Sequence, residues 1–409
     1  MKPEWKSDSI TIREAYDWIK ADMLPAGYWV RLCEYIQDKY PGDDVVEYGA
    51  NNTLRFINFV GVIYLEGFII EVVPKVALSA EDNRKALISM LHHARYLSVD
   101  FYDRIASGMR QDHLLDALLA AYVHRLQDEL QRGSYKGYIE HVENRGMLRG
   151  KVLVTEHLRM NAFTPSRVVC QFDEHSDNNR LNQILKFALR IAQRRVSDRL
   201  YMQIERCLAL MSDVEDRLIT RDDFDRLVWN RQNERFRDVV LFAKLIIDKV
   251  SIHHIGDRHQ SFSFLFEMNM LFEAYIGAAL MEIAGPANVH SQHTEKKLLL
   301  NKKTNRMNIQ LKPDFVIGDS EMILDTKWKS AVYNGRLAYQ QSDLYQMYAY
   351  VTAYEKATRC ILVYPYQEEF EAPVWQVIDT NKSIEMAWVR LHDYEATKED
   401  LWRILNYAP

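Results

Sequence analysis

Asp314, Asp325 and Lys327 carry the clearest chemistry in the chain, within the stretch IQLKPDFVIGDSEMILDTKW at 309–328. Two carboxylates able to hold a divalent cation, with an ammonium two residues beyond the second, make the minimal apparatus for metal-assisted phosphodiester hydrolysis. Gly318-Asp319-Ser320 is turn chemistry, so the flanking apolar runs predict a hairpin. Alternation along a strand over 322–327 puts Asp325 and Lys327 on one face and turns Leu324 and Thr326 into packing. Asp314, beside Pro313, can meet Asp325 across the hairpin. Two carboxylates that converge repel each other unless a cation neutralises them. Mg²⁺ suits such a pair, because it takes oxygen ligands and fills its octahedron with one or two carboxylates plus waters; Mn²⁺ would substitute.

The elements that must hold these residues follow from periodicity. A helix over 264–284, strands over 310–317 and 322–327, a helix over 342–354 and a strand over 359–364 predict a small mixed sheet with helices on both faces. Further upstream, 11–19 and 25–39 read as helices, and 54–59, 61–65 and Phe68–Val73 as strands, the last stopped by Pro74. Helices are expected over 81–96, over 112–130 with a stripe of Leu115, Leu119, Tyr122, Leu126 and Leu130, as one long element over 182–204, and once or twice within 221–250. The segment 138–154 reads as strand-like. The fold class is therefore α+β and multidomain: a mixed α/β N-terminal region (1–135), a largely helical middle region with a basic hairpin or loop (136–255), and a C-terminal α/β/α domain (256–409).

Composition narrows the function. With 409 residues, 48% hydrophobic and 27% charged, the chain has a globular profile, and it carries no apolar run long enough for a membrane span. The opening MKPEWKSDSI resembles no secretion signal, and Cys33, Cys170, Cys207 and Cys360 form no CxxC pair, so reduced thiols and a cytoplasmic location are expected. A net charge of −5 argues against a surface that grips DNA all over. Contact with nucleic acid must come from local patches or a partner. No GxxxxGK[ST] phosphate loop occurs, so the chain does not power translocation itself.

Pro313-Asp314 followed by Asp325-Thr326-Lys327 resembles the PD-(D/E)xK nuclease superfamily. Glu273 stands where that superfamily carries a helix-borne acid, and Gln346 and Tyr350 match a Gln and Tyr spaced one turn apart in one of its branches. The resemblance implies that Asp314 and Asp325 bind the metal with the Thr326 carbonyl, that Glu273 completes the shell directly or through water, that Lys327 orients or helps deprotonate the attacking water, and that Gln346 and Tyr350 position a DNA strand. Outside this region, Gly61-Val62-Ile63-Tyr64-Leu65, Ile69-Ile70-Glu71-Val72-Val73-Pro74-Lys75, Leu148-Arg149-Gly150-Lys151, Cys170-Gln171-Phe172-Asp173-Glu174, Asp177-Asn178-Asn179-Arg180-Leu181-Asn182 and the run 266–273 resemble McrC proteins. This likeness implies the nuclease subunit of an McrBC-type modification-dependent restriction system. Such a subunit docks through its N-terminal part on a ring of McrB-like AAA+ GTPase, stimulates that GTPase, and cleaves modified or foreign double-stranded DNA. Two alternatives stay open: a free-standing repair or recombination nuclease of the same superfamily, and a non-cutting activator of an NTPase partner.

Other charged groups are weaker candidates. Lys296, Lys297, Lys302, Lys303 and Arg306 precede the motif, and Lys302 and Lys303 are the candidates for phosphate contact. Arg145 and Arg149, with Lys151 and glycines at 146 and 150, would stand at a loop tip able to reach a partner's nucleotide site. Lys186, Arg190 and Arg194 read as an exposed basic helix face. His253 and His254, as chain neighbours, would point apart and not share a metal.

Overall fold

The computed structural model describes residues 4–6, 8–41, 45–65, 67–75, 80–97, 114–163, 166–193, 198–249, 261–333 and 336–406. His253, His254, Asp112 and Arg194 lie outside these residues. The chain divides into two compact units, one made of 1–114 with 253–409 and the other of 115–252. The sequence suggests three consecutive segments; instead, the first and last of them share a β-sheet.

That shared sheet has five strands in the order Glu4–Lys6, Ser9–Arg13, Phe68–Val73, Phe59–Leu65, Ser261–Glu267. Ser9–Arg13 is a strand where a helix is expected over 11–19, and it runs parallel to Phe68–Val73. Ile10 and Ile12 alternate into a core with Ile63, Ile70 and Val72. Ser261–Glu267 is likewise a strand, antiparallel to Phe59–Leu65, and the helix expected from 264 starts only at Met268. Gly61 is required there: its φ is +133° and an added Cβ would lie 1.8 Å from the Phe264 carbonyl oxygen. The backbones of these two strands therefore touch where no other side chain fits.

The same unit holds a six-stranded mixed sheet in the order Val289–Ser291, Phe315–Ile317, Met322–Thr326, Arg359–Pro365, Ser383–Val389, Val374–Gln376. Phe315–Ile317 and Met322–Thr326 form the expected hairpin, and Met322–Thr326 then runs parallel to Arg359–Pro365. Val316, Ile323, Cys360 and Leu362 pack against Met347, Tyr350 and Val351 of helix Gln341–Ala353. On helix Met268–Ala284, Gly277 leaves room for the Phe315 ring, which an added Cβ would approach to 2.9 Å. The expected strand over 310–317 breaks in two. Only Phe315–Ile317 of it stays in this sheet, while Gln310 ends a different strand, Arg306–Gln310, which pairs with Lys297–Asn301 in a separate exposed hairpin.

In the second unit, helix Leu114–Gln131 buries the predicted stripe of Leu115, Leu119, Tyr122, Leu126 and Leu130. The Tyr122 hydroxyl donates to the Leu185 carbonyl at 2.9 Å. The segment expected as one long helix from 182 contains two, Arg180–Gln193 and Asp198–Ala209. Lys186 does not belong to an exposed basic face: it is 6% exposed, donates to the Val214 carbonyl and lies 3.6 Å from Asp216, because the helix turns this side chain inward. Asn179 and Asn182 bond the carbonyls of Tyr135, Ser176 and Asp177, and the Asn179 side chain caps the start of the helix at Asn182. Among the described residues no helix is long and apolar enough to cross a membrane.

Candidate nuclease centre

Asp325 is the deepest of the candidate acids, 1% exposed in the middle of the mixed sheet. Burial raises its carboxyl to about 7 from a usual 3.8; Asp314 adds repulsion, and Lys327, whose ammonium bonds Asp325 Oδ2, offsets part of it. Asp314 sits just before Phe315–Ile317 and accepts from both the Thr326 amide and the Thr326 hydroxyl, each at 2.7 Å. One Asp314 oxygen is thus fixed by the neighbouring strand. The Lys327 amide donates to the Val363 carbonyl at 2.9 Å, which holds the end of the motif against the sheet.

Glu273 projects from the second turn of helix Met268–Ala284. Its carboxyl is held above the usual range by burial and by Asp314. Gln292 clamps it to Asp314: the Gln292 amide side chain donates to Glu273, and its backbone N–H donates to the Asp314 carbonyl at 2.8 Å. Asp314, Asp325, Lys327 and Glu273 are therefore brought together at one end of the sheet. An open groove of about 1000 Å³ along the helix is lined by Glu273, Gln292, Lys312, Phe315, His93 and Tyr96.

The donors present fit an oxygen-seeking divalent ion. Burial holds the pKa of both Asp325 and Glu273 up and the charge of Asp314 raises it further, and that repulsion is what a bound cation relieves. Gln292 Oε1 is buried without a hydrogen-bond partner among the described residues, one more oxygen free to accept from water or a cation. No three His, Cys, Asp or Glu side chains form a ready cage among those residues. An ion that keeps most of its waters does not need one.

Gln346 and Tyr350 do pair, Gln346 Nε2 donating to the Tyr350 hydroxyl at 2.7 Å, and that hydroxyl donating to the Lys312 carbonyl at 3.0 Å. Tyr350 is 3% exposed, with its hydroxyl's pKa raised by burial and by Asp325. It has no surface for a DNA strand. What its hydroxyl does is tie helix Gln341–Ala353 to the chain two residues before Asp314. Lys302 and Lys303 stand exposed at the tip of the 297–310 hairpin, where Asn301 turns the chain by accepting from the Lys303 and Thr304 amides. Arg145 and Arg149 belong to the second unit, both with guanidinium groups over the Phe172 ring at 5.2 and 4.3 Å. Gly150 permits this with φ +71° and no room for a Cβ, which would meet the Gln171 carbonyl at 2.3 Å. At Gly146 an added Cβ would meet only the Ser166 carbonyl, at 3.9 Å, so that position carries no such requirement.

Sequence reasoning missed Gln292, Lys312 and the pair of Lys329 with buried Asp343, 2.9 Å apart. Gln292 sits in a polar segment without periodicity, and only the fold puts it between two acids.

A family model for the McrBC 5-methylcytosine restriction system component matches residues 54–365. The chain belongs to that family. The match takes in every candidate nuclease residue of this McrBC-family chain, from Glu273 to Tyr350. Its fold is similar to that of a chain in a half-complex from a tetradecameric assembly of Thermococcus gammatolerans McrB AAA+ hexamers with bound McrC, at TM-score 0.72 and 20% identity over 97% of this chain and 100% of that one. A second similar chain, from the Thermococcus gammatolerans McrBC complex, gives TM-score 0.53 and 22% identity over 67% and 87%. No curated protein sequence matches.

Proposed function

We propose that this McrBC-family member is the McrC-type, DNA-cutting subunit of its restriction complex, a Mg²⁺-dependent endonuclease that works with an McrB-like AAA+ GTPase ring. The observation that carries the reading is the convergence of Asp314, Asp325, Glu273 and Lys327 at one end of a mixed sheet with a helix-borne acid. In this reading the C-terminal part is a PD-(D/E)xK nuclease domain built against an N-terminal sheet. Asp314, Asp325 and the Thr326 carbonyl would hold the metal, with Glu273 and the free oxygen of Gln292 accepting from its waters. When bound, the ion lowers the pKa of water and offsets phosphate charge.

Lys327 has two tasks. Its ammonium bonds Asp325 and offsets that carboxyl's charge. With the carboxylate engaged elsewhere, the ammonium is free to orient the attacking water and steady charge on the phosphate. Glu273, held above the usual carboxylate range, is suited to take a proton from that water. Gln346 positions the site together with Tyr350, and Lys302 and Lys303 reach for phosphates from the hairpin tip. In the second unit, exposed Met147 and Leu148, flanked by Arg145 and Arg149, suit docking on a partner and stimulation of its GTPase. A mild overall acidity agrees with a cutter delivered to DNA by that partner.

The deciding experiment uses purified complex with Mg²⁺. Asp325→Ala, Asp314→Ala and Lys327→Ala should each abolish cleavage while partner binding and GTPase stimulation persist. Cleavage that survives in all three removes the proposal.

A further inference from the structure

Trp328 follows Lys327 directly and is 3% exposed. Its indole N–H donates to Glu14 Oε2 at 2.8 Å. Its ring packs on Phe272, the residue before Glu273, with centroids 5.4 Å apart. Lys75, from the Pro74-Lys75 end of the strand Phe68–Val73, donates to the Trp328 carbonyl at 3.0 Å and to Glu14 Oε1 at 3.3 Å.

Glu14 lies in the turn after the strand Ser9–Arg13 and is fully buried. Besides Trp328 and Lys75 it accepts the Asn58 amide at 2.8 Å. Asn58 in turn starts the helix that bears Glu273. Its carbonyl accepts the Met268 amide at 2.8 Å and its side-chain oxygen accepts the Asn269 amide at 3.2 Å, replacing the cap that Glu267 does not supply. One carboxylate therefore joins both elements of the candidate centre: the strand end at Lys327 and the helix start ahead of Glu273.

A buried carboxylate is a poor device for stability alone, since apolar packing of the same volume does as well or better. It is a good device for fixing directions, because each of its lone pairs demands a donor in one place. We propose that Glu14 is a positioning residue of the nuclease centre, holding Lys327 through Trp328 and Glu273 through Asn58 in the register that cutting needs. This rests on the nuclease reading above. The N-terminal sheet then sets the geometry of the site.

The test compares Trp328→Phe, which keeps an aromatic ring against Phe272 while removing the N–H together with part of the indole, with Glu14→Gln and the double variant, all in full-length protein with its partner. A displacement of about an ångström at a reacting group costs up to about a hundredfold in rate. Each single variant should lower kcat for cleavage by about tenfold or more at saturating Mg²⁺, with KM for DNA and GTPase stimulation unchanged. The double variant should be no slower than the slower single one, because the two residues act as a unit. Mn²⁺ affinity, measured by calorimetry, should weaken by about tenfold, as when a metal ligand's support is removed. A structural role alone would lower Tm and leave kcat and metal affinity in place, and that result overturns the assignment; so do additive losses. If Glu14→Gln does not fold, Trp328→Phe decides by itself. Wild-type protein that binds Mn²⁺ but cuts no DNA removes the nuclease reading and leaves this one to the affinity measurement. Wild-type protein that binds no metal removes both.

Discussion

Replacing Asp325 by asparagine should make the metal-free protein more stable while it destroys cutting. Asp325 is 1% exposed and faces Asp314, and its carboxyl is pushed from 3.8 up to about 7. Between those pH values the folded protein keeps a proton that the unfolded chain releases. Stability then falls as pH rises through the window, and the whole penalty is present above pH 7. A span of about three pH units at ~1.4 kcal/mol each bounds the penalty at ~4 kcal/mol. That bound already contains the attraction of Lys327, and for a pair this close about half of it, ~2 kcal/mol, is the expected gain. For a unit of this size that is about 4–8 °C in Tm. The assay is thermal unfolding of wild type and Asp325→Asn in EDTA at pH 8 and pH 5. The variant should melt higher at pH 8, and at pH 5 the gain should be roughly a third as large, in proportion to the part of the window already crossed. Saturating Mg²⁺ should close or reverse the gap at pH 8, since an ion at a hundred times its Kd adds ~2.7 kcal/mol to the form that binds it. A variant no more stable than wild type at pH 8 in EDTA, or a gain equal at both pH values, refutes the electrostatic account of the centre.

Three further outcomes are expected. Arg359 and Glu385 form a buried bidentate pair at 2.8 and 2.7 Å between parallel strands, so Arg359→Ala should cost about 3–5 kcal/mol in denaturant unfolding, whereas Arg359→Met with Glu385→Leu should be nearly neutral. Lys302→Ala and Lys303→Ala should each reduce the slope of log affinity for DNA against log salt by about one, uniformly across sequences, when binding is followed by fluorescence anisotropy in Ca²⁺. Gly150→Ala forces a Cβ to within 2.3 Å of the Gln171 carbonyl, and should abolish or sharply weaken GTPase stimulation while leaving the Tm of the other unit in place.

What could be read from the sequence was local. Phe68–Val73 announces itself by β-branched and aromatic residues stopped by proline, and helix Leu114–Gln131 by its apolar stripe. Asp314, Asp325 and Lys327 stand close enough in the chain for their meeting to follow from one hairpin. What escaped was non-local. Ser9–Arg13 and Ser261–Glu267 are strands because of partners at 68–73 and 59–65, and for the latter pair some two hundred residues of chain intervene. Phe262, Phe264 and Phe266 do alternate with period two, a signal that the helical run directly after them hides. Tyr350 was legible as a partner of Gln346, but its burial was not, because the surface of a helix is decided by what packs on it. Glu14 gives no sign at all: an acid within 11–19, a run that reads as helix, passes for solvated until the sheet closes over it.

The sheet that takes Ser261–Glu267 as its last strand has a consequence for the gene. A break near residue 256, where sequence alone would part the nuclease from the rest, removes the other four strands of a five-stranded sheet and the carboxylate beneath Trp328. A fragment beginning there would carry an unpaired apolar strand edge and aggregate. The separable piece is 115–252, which interrupts a unit whose two parts depend on each other. Evolution could lengthen, shorten or exchange that insert to suit a different partner, and the cutting end would need to change nothing.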